Sequence, residues 1–218
     1  MLSGSRAERY TDIVSEPAWP DVQAWMRQAT NPVELLPPSL EQRETVRQKV
    51  AVSLGSALGS VIQETGGILI DHGWLRILGS GSERVPRVAL VDRQWILVAD
   101  DVVGGFFALH PPKGEVHYLA PDTLEWEGLG IGYSAWFRWC LTEELGTFYQ
   151  DYRARGWEGR IGALRPEQGF HIDPPPWTKG PHYYERSWKA VPMTELYHMA
   201  FEVRDQLRAS RPSEENMT

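Results

Sequence analysis

Between residues 67 and 127, seven short runs rich in β-branched and aromatic residues follow one another with only turn-forming residues between them. Parallel strands need long crossover connections, usually helices, and no helical pattern separates these runs. The region therefore predicts a single curved antiparallel sheet of about six strands. In order, the runs read GILID, WLRIL, RVALVD, WILVAD, GFFAL, VHYLA and TLEWE.

Helical patterns lie before and after this region, where apolar residues recur at three- and four-residue steps. Strands followed by separate helices indicate the α+β class, and the length fits one domain. A stretch with three consecutive prolines and three tryptophans interrupts the second helical region, and we expect it to be irregular. The expected order is a loose N-terminus at residues 1–15, helices at 20–65, sheet at 67–127, helices at 134–155, an irregular segment at 156–190, a C-terminal helix at 192–208 and a frayed tail at 210–218.

Two glycine pairs stand beside strand-like runs, Gly66–Gly67 and Gly104–Gly105. Glycine permits tight turns, positive φ and close approach of backbones. We expect all four to be structural, with at least one at positive φ. Valine at Gly67 or Gly105 should then destabilise the fold.

Composition excludes several classes of function. The formal net charge of −7 argues against binding of nucleic acid or an anionic membrane, and it is compatible with a basic partner protein. No apolar run approaches the ~20 residues that span a bilayer. The single cysteine, Cys140, lies in an apolar stretch, which favours a packed thiol over a nucleophile. Without a secretory leader pattern or a disulfide, we expect a cytoplasmic protein.

Acidic residues at three strand ends, together with a neighbouring histidine, have the ligand types of a divalent metal site. Their spacing matches no metal motif, and aspartate at a strand end is commonly a turn former. We therefore predict no metal and no cofactor. The residues concerned are Asp71, His72, Asp100, Asp101, His117 and Asp122.

Catalytic signatures are missing. There is no G-x-S-x-G motif, and the GSGS stretch at residues 79–82 lacks the lysine and helix of a phosphate loop. An enzyme is the less favoured class. The alternative that remains is a small-molecule-binding protein or small hydrolase, with a cleft lined by Asp71, His72, Trp74, Asp101 and Glu125.

Long blocks of the chain resemble the bacterial domain-of-unknown-function 2625 family, which has no established activity. These blocks are ETGGILIDHGWLRILGSGS, ADDVVGGFFAL, GEVHYLAPDTLEWEGLGIGYSAWFRWCL and the late WKAVPMTELYHM. A weaker similarity is to the SUKH superfamily, in the order of a Gly-Gly turn, the DDVVGGFFAL strand and the VHYLAPD strand. That resemblance implies an α+β domain that binds proteins, often as an immunity protein against a bacterial toxin. The segment at 156–190 departs from it.

The leading prediction is a non-enzymatic protein-binding domain of SUKH type, with a role in toxin immunity. The expected surface combines large aromatics with carboxylates that steer a basic partner. Its residues are Trp74, Tyr118 and Trp126 with Asp101 and Glu125. The competing interpretation is that the three rings fill the core. In that case the candidates become Trp157, Trp177 and Trp188.

Overall fold

The computed structural model describes residues 18–111, 113–153 and 155–210, without the side chains of Arg208 and Ser210. The loose N-terminus expected at 1–15 and the tail from residue 211 lie outside these residues. None of the helices in the described ranges is long and apolar enough to cross a membrane.

Antiparallel strands form one large open sheet in the described part of the chain. The strand order is β1-β2-β3-β5-β6-β7-β8, and β4 pairs with β5. One antiparallel sheet is confirmed, but it has eight strands rather than about six. Its strands are β1 (Val33–Leu36), β2 (Gly67–Ile70), β3 (Leu75–Leu78), β4 (Leu90–Asp92), β5 (Trp95–Asp101), β6 (Phe106–His110), β7 (Glu115–Leu119) and β8 (Trp126–Gly132).

Helices come before and after the sheet, as the α+β class requires. Within the described ranges they are α1 (Trp19–Arg27), α2 (Arg43–Val50), α3 (Ala57–Glu64), α4 (Tyr133–Cys140), α5 (Glu144–Phe148), α6 (Trp157–Gly162) and α7 (Met193–Ser210). Pro192 ends a strand instead of opening the last helix, so α7 begins one residue later than expected.

The prediction of an irregular segment at 156–190 is wrong. It contains α6 and two paired strands, β9 (Gln168–Asp173) and β10 (Ser187–Pro192). The prolines lie in the loop between these strands. Arg186 organises that loop, because its buried guanidinium donates to the carbonyls of Pro174, Pro175, Thr178 and Pro181.

The large sheet packs its main core on one face, here called the inner face. Side chains alternate along a strand, so Ile68 and Ile70 point to this face and join a buried cluster with α3 and α4. The opposite, outer face carries one continuous cross-strand row. This row runs Glu34, Leu69, Arg76, Asp100, Phe106, Leu119 and Trp126.

The middle of the outer face is covered by α7 and by β9–β10. Phe106 and Leu119 of the sheet form a buried cluster with Leu196 and Phe201 of α7. The packing is tight at Gly169 of β9, where an added Cβ would lie 2.4 Å from the sulfur of Met193. The two ends of the outer face stay less covered, and each carries polar side chains.

Candidate functional site

The turn between β2 and β3 has an unusual backbone. Asp71, His72 and Gly73 all adopt positive φ, at 53°, 59° and 85°. Side chains seldom tolerate this region, although Asp and His do so more often than most. Such strain persists where surrounding structure enforces it, and it concentrates at functional sites. The turn leaves His72 exposed while Asp71 and Trp74 are buried.

The side chain of Asp71 is paired with a buried arginine. Its carboxylate pairs with Arg153 at 2.6 Å, and both side chains are about nine-tenths buried. The guanidinium of Arg153 lies over the rings of Trp74 and Trp157, with its central carbon 4.4 Å and 4.2 Å from their centroids. Burial lowers the pKa of Arg153, and the charge of Asp71 opposes this shift. We call these four residues the Arg153 cluster; they fix the strained turn against the start of α6.

Beside this turn, the outer face of β1–β3 and the chain around α6 enclose a cleft of about 450 Å³, here called the α6 cleft. This volume falls within the range of small-molecule sites. Leu69, Val102, Ile161 and Leu164 supply apolar lining. The charged and imidazole side chains that line it are Glu34, His72, Arg76, Arg84, Glu158 and Arg165.

The floor of the cleft is a buried ion network. Arg76 donates to the carboxylate of Asp100 at 2.5 Å, to the carbonyl of Pro166 at 3.3 Å and to the carbonyl of Gln168. Arg87 also donates to Asp100, at 2.8 Å. Burial lowers the pKa of Arg76, while the charge of Asp100 opposes this. The network holds the chain after α6 against the sheet and so shapes the wall of the cleft.

The rim of the cleft is exposed and mixed in charge. Arg84 pairs with Glu34, and both side chains are about half exposed. Arg165 is 79% exposed and lies 4.0 Å from Glu167. Glu158 is exposed in the first turn of α6. Exposed ion pairs are weak, so these groups can exchange a protein partner for a ligand at small cost.

Asp101 lies in the core instead of in a cleft. One carboxylate oxygen accepts the amides of Val103 (3.0 Å) and Gly105 (2.8 Å). The other accepts the hydroxyls of Tyr118 (2.7 Å) and Tyr149 (2.9 Å). Burial raises the pKa of Asp101, and these donors oppose the shift. The carboxylate thus ties a turn, a strand and the helical region into one unit.

One prediction from the sequence is wrong, namely that five residues together form an exposed surface. These residues are Trp74, Tyr118, Trp126, Asp101 and Glu125. Trp74 and Tyr118 are only 0% and 5% exposed, and Asp101 is 0% exposed. Tyr118 donates a hydrogen bond to Asp101, and Trp74 packs against the rings of Tyr149 and Trp157, so all three side chains lie in the core. Glu125 and Trp126 are half-buried and do not belong to this buried group. The alternative cleft also does not form as expected, since of its residues only His72 lines the α6 cleft.

Trp126 belongs to a different group, at the other end of the outer face. It stacks on Trp95 at 4.4 Å between centroids, and the rings of His110 and His117 lie 5.0 Å and 4.9 Å from Trp95. All four side chains are half-buried. We call them the aromatic patch.

The three fallback tryptophans are half-buried and separately engaged. Trp157 belongs to the Arg153 cluster, and Trp188 lies under the guanidinium of Arg160 at 4.6 Å. Trp177 packs on the α7 cluster.

The candidate metal ligands do not converge. Among the described residues, no group of three His, Cys, Asp or Glu side chains could hold a metal ion. Asp71 and Asp100 are neutralised by arginines instead. Cys140 is fully buried, and burial raises the pKa of its thiol well above the usual range.

Each of the paired glycines lies where a side chain would be crowded or where the backbone has positive φ. Gly67 and Gly104 have positive φ, at 150° and 88°, which meets the expectation for at least one of the four. A Cβ on Gly66 would lie 2.3 Å from the carbonyl oxygen of Pro37, and one on Gly105 would lie 2.2 Å from the hydroxyl of Tyr118. Close approach therefore requires glycine at Gly66 and Gly105, and positive φ favours glycine at Gly67 and Gly104.

Sequence reasoning missed most of the cleft. It singled out His72, but not Arg84, Glu158 or Arg165, which lie on separate loops and on α6. No local pattern marks these three residues. Only the pairing of β1 with β2 and the position of α6 bring them together.

The fold and the cleft define an α+β protein with a large antiparallel sheet and a polar cleft at one end of its outer face. A family model described as "Protein of unknown function DUF2625" matches residues 11–196, and the chain belongs to this family. It is 37% identical over 201 residues to "Putative uncharacterized protein YbfG" of Escherichia coli K12, covering 86% of this chain and 92% of that protein.

An uncharacterized protein of Haemophilus influenzae is 34% identical over 175 residues, covering 72% of this chain and 76% of that protein. No solved structure matches the chain. These matches confirm the resemblance to the domain-of-unknown-function 2625 family. They do not support the SUKH resemblance, which stays a prediction.

Proposed function

We propose that the protein binds a small anionic ligand in the α6 cleft. The observation that carries this proposal is the convergence of Arg84, Arg165 and the exposed His72 around one cavity of about 450 Å³ in a chain of net charge −7. Arginine offers several donors in a fixed geometry that suits carboxylate and phosphate groups. The strained turn leaves the side chain of His72 exposed at the cleft, beside the ring of Trp157.

Binding fits the lining better than catalysis. Among the described residues that line the cleft there is no Ser, Thr or Cys to act as a nucleophile. A covalent mechanism through a hydroxyl or thiol needs such a group within hydrogen-bond reach of a base. Binding is therefore the function that we propose for this cleft.

Calorimetric titration with hexanoate, and separately with inorganic phosphate, tests this proposal. Arg84→Gln and Arg165→Gln should each weaken binding of the anion by up to about fivefold, since an exposed charge contact contributes about 0.2–1 kcal/mol. Lys113→Gln removes an equal charge from the exposed β6–β7 hairpin and should leave the affinity unchanged. Absence of binding to the wild type, or equal loss in all three variants, would overturn the proposal.

A protein-binding role of SUKH type is a second candidate, and the aromatic patch favours it. Half-buried tryptophans beside imidazole rings on a sheet resemble the centre of many interfaces. A pull-down should then capture a partner with the wild type and with Trp177→Ser, but lose it with Trp95→Ser. Both residues are half-buried tryptophans, so loss with both variants, or with neither, contradicts a role for the patch.

A further inference from the structure

We infer that Glu34 competes with the ligand for the anion site of the α6 cleft, because its carboxylate is already paired with Arg84. A bound anion replaces Glu34 as the partner of this guanidinium. This inference rests on the proposed function and adds how binding at that site is controlled. The argument comes from where the two side chains lie and from what each of them contacts.

Glu34 and Arg84 come together because their neighbours in the chain pack on one small cluster. Glu34 aligns with Leu69 across the β1–β2 pair. The buried side chains of Leu36, Leu69 and Val85 form a hydrophobic cluster separate from the main core. Since Leu36 is in β1 and Val85 directly follows Arg84, this cluster fixes the chain at Arg84 against the strand that carries Glu34.

The turn that carries Arg84 has an ordered backbone and an exposed side chain. The amide of Ser82 donates to the carbonyl of Val85, and the amide of Val85 donates to the hydroxyl of Ser82, each at 2.9 Å. Arg84 and Glu34 both line the α6 cleft, and their side chains are about half exposed. Within the described ranges, each of these two side chains has the other as its single hydrogen-bond and ion-pair partner.

The Glu34–Arg84 pair can open at small cost, unlike the buried network below it. Arg76 is 2% exposed and donates to the carboxylate of Asp100 and to three carbonyls. An exposed ion pair contributes little, because water screens the charges and both long side chains lose freedom when they pair. Arg84 is therefore a cation of the cleft whose partner can be exchanged for a ligand.

Two competing interpretations make different predictions for a variant without the Glu34 carboxylate. A guanidinium has five donors, and Glu34 accepts from Nη1 of Arg84, so an anion could use the other donors while Glu34 orients the group. Loss of the carboxylate would then weaken binding. Alternatively, Glu34 only repels anions through space, in which case any exposed carboxylate of the cleft should act in the same way and independently of Arg84.

The experiment is a calorimetric titration with hexanoate, whose carboxylate is the same group as the one that it displaces. Glu34→Gln should bind hexanoate up to about fivefold more tightly than the wild type, because Arg84 is then free in a larger fraction of molecules. Glu158→Gln is the matched control, since it removes the same charge from another exposed glutamate of the cleft without freeing Arg84. Its gain in affinity should be smaller. In an Arg84→Gln background, Glu34→Gln should have no effect.

These variants separate the inference from the proposed function. An affinity of Glu34→Gln equal to or below that of the wild type would overturn the inference, while hexanoate binding keeps the proposed function. Equal gains in Glu34→Gln and Glu158→Gln, or a gain that persists in the Arg84→Gln background, would also overturn it. Absence of hexanoate binding in the wild type and in Glu34→Gln would overturn both.

Discussion

Gly105 allows the core hydrogen bonds around Asp101, and Gly105→Ala should disrupt them. A Cβ there would lie 2.2 Å from the hydroxyl oxygen of Tyr118 and 2.3 Å from a carboxylate oxygen of Asp101. These two atoms are hydrogen-bonded to each other at 2.7 Å, so neither can move without breaking that bond. The substitution therefore affects packing and the hydrogen-bond network together.

The expected loss in the free energy of unfolding combines both effects. Overpacking a core costs about 1–3 kcal/mol, and a lost hydrogen bond to a charged group costs about 1.5–3 kcal/mol, so we expect a loss of roughly 4 kcal/mol in the free energy of unfolding. Gly105 has no positive φ, so backbone strain adds nothing. Urea unfolding followed by circular dichroism measures the difference.

Gly159→Ala is the matched control, because nothing lies within 4 Å of a Cβ at this position in α6. This variant should be neutral or slightly more stable, since alanine is favoured over glycine within helices by up to about 1 kcal/mol. In a double-mutant cycle, Gly105→Ala combined with Tyr118→Phe should cost less than the sum of the single changes. A Gly105→Ala variant as stable as Gly159→Ala would refute the reasoning.

Three further predictions concern the buried side chains. Arg153→Met should cost about 3 kcal/mol in unfolding free energy because it leaves Asp71 buried without a partner, and adding Asp71→Asn should recover part of that loss. Cys140 should react with a thiol reagent only after unfolding, and rapid reaction of the native protein would contradict its burial. Arg186→Met should speed tryptic cleavage after Lys179, because the loop carbonyls lose their common donor; an unchanged digestion rate would show that other contacts hold the loop.

Much of the sheet is predictable because its strands and turns are indicated by residues that are close together in the sequence. The strand-like runs from Gly67 onward have turn residues between them, and each strand from β5 to β7 pairs with the next one in the chain. β1 was missed because VELL is only four residues long and lies between Pro32 and Pro37. Its strand character comes from pairing with β2, which is more than 30 residues away in the chain.

In the segment at 156–190, amino-acid composition does not predict the secondary structure. Its prolines and scattered tryptophans are typical of irregular chain, yet Gln168–Asp173 and Ser187–Pro192 pair across the proline-containing loop. The donors that order the loop come from Arg186, which nothing in the local pattern distinguishes from an exposed arginine. Long-range hydrogen bonds decide the conformation here.

The site was only partly predictable for a similar reason. His72 drew attention because it lies between Asp71 and Gly73 in a turn, and it does line the cleft. An aspartate at a strand end has no sequence feature that tells a buried network from an open site, and Asp101 proved to be buried. The exposed arginines of the cleft come from distant parts of the chain.

If an anion binds in the α6 cleft, as we propose, NMR chemical-shift mapping tests this most directly. During titration with hexanoate, the backbone amides of His72, Gly73 and Arg165 should show the largest shifts, and these should saturate with one common affinity. Shifts concentrated in the aromatic patch or in the loop at 178–186, or no saturable shift at the cleft, would contradict the account.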